Sequence, residues 1–149
     1  MQQLITQLTT IIDKYTALFN NIPDEELTIK PSQGKWSKKE IIGHLIDSAQ
    51  NNIQRFVRVQ YAQQPHVVYQ QNNWVAAAKY QEYNRQDLVA LWALLNKHIC
   101  IILAAMPVEV YLRTVKLGAE GETLVTVQFL AEDYIVHHLH HIHQIFPEQ

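Results

Sequence analysis

Long runs of apolar residues at helical spacing, interrupted by very few breakers, constrain this chain more than any other feature. Only four glycines and five prolines occur, and they read as the seams between helices. Gln2 to Asn21 puts Leu4, Ile5, Leu8, Ile11, Ile12, Tyr15, Leu18 and Phe19 on one face and stops before Pro23, as a first helix should. Residues 23–35, with Pro31 and Gly34, read as a connection. Ser37 to Glu40 is a capping box, in which each side chain takes a backbone N–H that the first helical turn leaves unpaired. Trp36 and Ile41 flank it as a hydrophobic staple, and a second helix is expected from Ser37 to about Ala62.

A loop around Pro65 and His66 and a short helix from Trp74 to Tyr80 come next. Asn84 is placed to cap a third long helix, with Asp87 in its first turn, where the helix dipole favours negative charge. That helix carries Leu88, Leu91, Trp92, Leu95 and Ile99 and ends near Pro107. Tyr111 to Leu117 and Glu122 to Val125 are β-prone pieces around Gly118 and Gly121, which predicts a small hairpin or an irregular excursion. Thr126 caps a last helix that runs to Phe146 before Pro147. With no repeat and no internal boundary, the expectation is one all-α domain over residues 1–149, a four-helix bundle with a short excursion before the last helix.

Composition narrows the partners. Charged residues are 17% of the chain and the formal net charge is -2, without the clustered Lys and Arg that phosphate binding requires. The basic group Lys35, Lys38 and Lys39 reads as a solvated helix start, so no nucleic acid is expected. No apolar stretch reaches the ~20 residues of a membrane span, and the N-terminus lacks the pattern of a signal peptide. The single cysteine, Cys100, allows no intrachain disulfide and lies among Ile99, Ile101 and Ile102 as a small core residue. A soluble cytoplasmic protein without a membrane partner is expected.

Five of the eight histidines lie between positions 137 and 143. At ~100° per residue, His137 and His141 stand one turn apart at the edge of the apolar face formed by Leu130, Ala131, Tyr134, Ile135, Leu139 and Ile142. His138 points further into that face, and His140 and His143 fall on the polar side. A pair at i and i+4 can bring two imidazole nitrogens to one ion at ~2.0–2.1 Å, although solvent-exposed histidines without a ligand role would give the same pattern.

His44 lies at the edge of the second helix's stripe (Ile42, Leu45, Ile46, Ala49), and Ser48, Asn51 and Arg55 continue its polar line. Such a line, facing histidines that also border the core, describes a cleft lined with ligands; a hydrogen-bonded interface histidine is the alternative for His44. Three imidazoles with a free fourth position describe a catalytic metal site rather than a structural one. The ion expected is a single divalent metal, Zn or Ni ahead of Fe or Mn, since imidazole does not choose sharply among them.

His98 reads as a satisfied core histidine, with a fourth ligand or a supporting group as the alternative. Asp47, one turn from His44, is a candidate to accept a ligand's N–H or an ordinary surface carboxylate. Arg55 or Asn51 is a candidate to orient an anionic cosubstrate. HExxH fails because position 138 is histidine. A phosphate loop, a G-x-S-x-G elbow and Glu-x-x-His pairs are also missing.

The segments KWSKKEIIGHLIDSAQNNIQRF, YQEYNRQDLVALWALLNKHI and DYIVHHLHHIHQI, in this order and spacing, resemble the DinB-like superfamily of DinB and YfiT-type proteins. The resemblance covers nearly the whole chain. It implies an up-up-down-down four-helix bundle, a homodimer, and a histidine triad for a divalent metal that matches His44, His137 and His141. It also implies a small-molecule substrate, with thiol-dependent transferases and isomerases or metal-dependent hydrolases as the kinds of enzyme. The leading expectation is a metal-dependent, thiol-using S-transferase-like activity on a small electrophile. A hydrolase and a non-catalytic metal- or ligand-binding stress protein are the alternatives, and His138 or His140 could compete for the ion.

Overall fold

Six helices and one hairpin make up the computed structural model, which describes residues 1–147. Helix α1 spans Gln2–Asn21 and buries Leu8, Ile11, Ile12, Tyr15 and Phe19, the face expected from its spacing. Within the expected connection lies a short helix the periodicity gave no hint of, α2 (Asp24–Thr28), anchored by buried Leu27. Helix α3 is Lys38–Arg58. Its capping box is complete: Ser37 Oγ accepts from Glu40 N at 3.2 Å, and Glu40 Oε2 accepts from Ser37 N at 2.8 Å.

Helix α4 covers Gln71–Ala78 and ends where Lys79 turns left-handed at φ 57°. A single 3-10 turn, Tyr80–Glu82, leads to α5, Arg85–Ala105, whose first turn is capped by Asn84 Oδ1 accepting from Gln86 N at 2.8 Å. Strands β1 (Thr114–Leu117) and β2 (Thr123–Thr126) form the hairpin, antiparallel with Val115 opposite Val125. Gly118 and Gly121 turn it at φ 85° and 71°, values that only glycine adopts without strain. Helix α6, Val127–Ile145, is capped by Thr126 Oγ1, which accepts from Phe129 N at 3.2 Å.

The four long helices α1, α3, α5 and α6 form the expected four-helix bundle. Helix α5 packs against α1 and α3, and α6 lies against the same two from the other side. The core between them includes Phe19, Leu45, Phe56, Trp92, Ile99 and Ile142, all fully buried. Each such aliphatic or Phe side chain contributes about 1.5–3 kcal/mol by leaving water.

The order of helix directions departs from up-up-down-down. Phe19 near the end of α1 meets Trp92 near the start of α5, with ring centroids 5.0 Å apart, so these helices are antiparallel. Trp92 reaches His138 and Tyr134 reaches Asn96, which makes α6 antiparallel to α5 as well. His44 meets His137, while Arg55 further along α3 shares a cavity lining with Leu130 near the start of α6, so α6 opposes α3 too. The bundle therefore runs up-down-down-up. Residues 59–84 make this possible by returning along the bundle, so that α5 starts at the end where α3 starts. There Lys39 Nζ donates to Gln81 O at 3.0 Å.

Two further expectations change. Gly43 is not at a seam: it lies inside α3, where a Cβ would fall 2.1 Å from the ring of Tyr80. Helix α5 is long and apolar enough by length and composition to cross a membrane. Leu88, Val89, Trp92, Ile99 and Leu103 of this helix lie in the core, whereas Leu94 and Ile101 are exposed.

Candidate metal centre

His44 enters the bundle from the second turn of α3, fully buried. His137 and His141 meet it from α6, one turn apart as the i, i+4 spacing dictates. One ring nitrogen from each of the three lies within 4.8 Å of the others. His44 Nε2 and His137 Nε2 are 3.2 Å apart. A tetrahedral ion with bonds of ~2.0–2.1 Å spaces its ligand atoms about 3.3–3.4 Å apart, so this pair already stands at the separation of two ligands on one ion.

Burial, and then the neighbouring imidazoles, push His44 down to about 3 and His137 down to about 4. Burial lowers His141 as well, opposed by its bond to Gln144. The rings are thus neutral near pH 7, with lone pairs free to bind a cation. The Nδ1 atoms of His44 and His137 are buried without a hydrogen-bond partner. For His141 the tautomer is set. Its Nδ1 is 3.1 Å from Gln144 Oε1, which can only accept, so Nδ1 carries the proton and Nε2 keeps its lone pair. Gln144 Nε2 also donates to His140 Nε2 at 3.0 Å. Three convergent neutral nitrogens fit a borderline divalent ion such as Zn or Ni, and no fourth protein ligand of the His, Cys, Asp or Glu type joins the group among the described residues.

Trp36 forms a wall of this group, its ring centroid 4.9 Å from that of His44 and 6.5 Å from that of His141. Beside His137 opens a cavity of about 220 Å³ lined in part by Ser48, Asn52, Arg55, Tyr69 and Tyr134. Burial pushes the Tyr69 phenol above its ordinary value, with Arg55 opposing.

The other sequence candidates separate clearly. Ser48 reaches the cavity, as does Arg55. Asn51 does not: its Nδ2 donates back to Asp47 O at 2.8 Å, and Asn52 takes the cavity position. Asp47 is fully buried rather than at the surface, and it accepts from the Tyr80 hydroxyl rather than from a ligand's N–H. Burial raises its carboxyl to about 6, although the Tyr80 bond works the other way. His98 is exposed on α5, neither a core residue nor a ligand. His138 is fully buried, and its Nε2 accepts from Trp92 Nε1 at 3.0 Å, so that nitrogen is already engaged. His140 and His143 are exposed, as their phase on the helix requires.

Asn52, Tyr69, Gln144 and the role of Trp36 went unread in the sequence. Gln144 at i+3 from His141 and Asn52 at i+4 from Ser48 carried a helical signal. Tyr69, in a loop, carried none.

The sequence signature of the DinB superfamily matches residues 7–145. No curated protein matches the chain. Among solved structures, the chain is similar in fold to YfiT from Bacillus subtilis, described as a probable metal-dependent hydrolase with an unusual four-helix bundle topology. The TM-score is 0.88 at 20% identity, covering 98% of this chain and 83% of that one. A DinB-like protein of Bacillus subtilis, YjoA, superposes with a TM-score of 0.65 at 19% identity over 97% of this chain and 88% of its own. A mycothiol-dependent maleylpyruvate isomerase gives 0.72 at 14% identity, and the match spans 95% of this chain but only 59% of the isomerase. At these identities the structural likenesses speak for the fold, and the signature over nearly the whole length decides the family: the chain belongs to the DinB superfamily.

Proposed function

We propose that this protein binds one divalent metal ion through His44, His137 and His141 and acts as a metal-dependent enzyme, transferring a low-molecular-weight thiol to a small electrophile. The observation that carries the reading is the convergence of three neutral imidazole nitrogens beside a polar cavity. When bound there, the metal would supply a Lewis acid that lowers the pKa of a thiol or a water. The chain's own residues do the rest. Burial keeps the imidazoles unprotonated, Gln144 fixes the tautomer of His141, and Trp36 covers His44. Ser48, Asn52 and Tyr69 offer hydrogen-bonding positions for the substrate along the cavity.

The use of a thiol is supported by the fold shared with the mycothiol-dependent isomerase. Hydrolysis, with water in place of the thiol, is the second reading and is supported by the higher structural likeness to YfiT. A homodimer in the cytoplasm completes the proposal, in keeping with the family resemblance and the lone cysteine.

The test is to purify the protein without a nickel resin, measure its metal by elemental analysis, and assay it with a panel of thiols and electrophiles. Thiol-dependent turnover that disappears in His44→Ala supports the transferase, and turnover without thiol supports the hydrolase. Saturable binding without turnover leaves a non-catalytic binding protein.

A further inference from the structure

Arg55 is the one arginine in the cavity beside His137, and its surroundings are unusual for a guanidinium. Arginine stays charged in proteins, and a charge withdrawn from water needs a partner of opposite sign to offset its desolvation. Among the described residues no carboxylate pairs with Arg55: the ion pairs are Lys30 with Glu40, Lys38 with Glu26 and Arg85 with Asp24. Asp133 also lines the cavity, but it is exposed and forms no pair with Arg55. The contacts of Arg55 are to neutral acceptors, Asn52 Oδ1 at 3.2 Å from Nη1 and Val67 O at 2.7 Å from Nη2. Its Nε is buried without a partner.

A guanidinium has five N–H donors. Two are engaged here, which leaves three, including the buried Nε–H. Arg113 shows the contrast. It too lacks an ion pair, but it is exposed, and its Nη1 donates to Val59 O and Gln60 O at the end of α3.

We infer that Arg55 is a carboxylate-binding subsite, so that the small molecule occupying this cavity is a carboxylic acid. The two oxygens of a carboxylate match the paired N–H groups of a guanidinium edge. Asn52 and the Val67 carbonyl hold the guanidinium in place, while Ser48 and Tyr69 provide neutral hydrogen-bonding groups. The cavity, about 220 Å³, is smaller than the roughly 300–1,000 Å³ of drug-sized pockets, which favours a compact acid. The subsite deepens the proposed function and rests on it only for the placement of the reacting end at His137, since anion binding by Arg55 needs no metal. The carboxylate belongs either to the thiol or to the electrophile.

The experiment titrates succinate and uncharged succinamide into chelator-treated wild-type protein and into Arg55→Gln and Arg55→Lys. Binding is followed by calorimetry and by the NMR shift of the Asn52 side-chain amide. Succinate is expected to bind saturably, to shift Asn52, and to weaken about tenfold or more in Arg55→Gln. Arg55→Lys should fall between. Equal binding of succinate and succinamide, unchanged affinity in Arg55→Gln, or no saturable binding to wild type overturns the subsite. An Arg55→Gln protein that fails to fold leaves the Asn52 shift in wild type to decide.

Metal binding is measured separately, by elemental analysis of the untreated wild type. Glutathione and 2-mercaptoethanol are then titrated against succinate-saturated protein. Displacement by glutathione alone assigns the carboxylate to the thiol, and coexistence with both assigns it to the electrophile; either result supports the subsite.

Discussion

His137 and His138 are neighbours in sequence, and both are kept neutral by burial, yet they sit in opposite kinds of environment. His138 faces the centre of the bundle, where Trp92 donates to its Nε2 and the nearby Tyr134 hydroxyl donates to Asn96 Oδ1 at 2.7 Å. His137 faces His44 and His141, where three imidazoles aim nitrogens at one another. The lesson is that burial alone does not distinguish a structural histidine from a ligand. What the other polar atoms around it offer does: a donor pairs with the lone pair and closes it, whereas convergent acceptors leave the position to a cation.

This contrast can be broken from either side. The largest effect is expected on the convergent side: His141→Ala should lower metal content from about one ion per chain to almost none, read by elemental analysis, with the helical circular dichroism retained. Full occupancy in that variant would remove the triad. Gln144→Ala keeps all three ligands but frees the tautomer and orientation of His141. It should weaken metal affinity by about 10–100-fold, measured by competition with a chromogenic chelator.

On the paired side, His138→Phe should leave metal stoichiometry unchanged while stranding the buried Trp92 N–H. The stability cost should be about 1–3 kcal/mol, read from urea unfolding. Loss of the metal in this variant would mean that the two histidines are not functionally distinct.

The last effect concerns pH. In the unfolded chain the imidazoles take protons near their ordinary value of 6.5, whereas the folded His44 and His138 do so only near 3 and His137 near 4. Between these limits the unfolded state binds more protons, so stability of the metal-free protein should fall as pH drops below 6.5. Asp47, raised to about 6 from 3.8, opposes this between those two values. His138→Phe should make the decline shallower, and denaturant midpoints from pH 7 to 5 measure it.

Much of the fold was legible where chemistry is local. Ser37 with Glu40, Asn84 and Thr126 marked three helix starts, because a side-chain oxygen must take an orphan backbone N–H wherever a helix begins. The triad was legible because helical phase puts His137 and His141 on one line and His44 at the edge of its stripe. Helix directions were not, since residues 59–84 could return along the bundle or cross its end with equal local propriety.

Helix α5 misled for another reason. It is apolar nearly all round, so its phase left more than one face to bury. Leu94 and Ile101 turn out exposed, and His98 with them. The cavity was hidden because Tyr69 reaches it from a loop, with no period to announce it.

The central claim, that His44, His137 and His141 converge to hold a metal while His138 does not, is tested most directly by anomalous scattering from crystals of metal-loaded protein. The account predicts one strong peak bonded to a nitrogen of each of the three histidines and separate from the His138 ring. No peak there, or a peak only at the exposed His140 and His143, would contradict it.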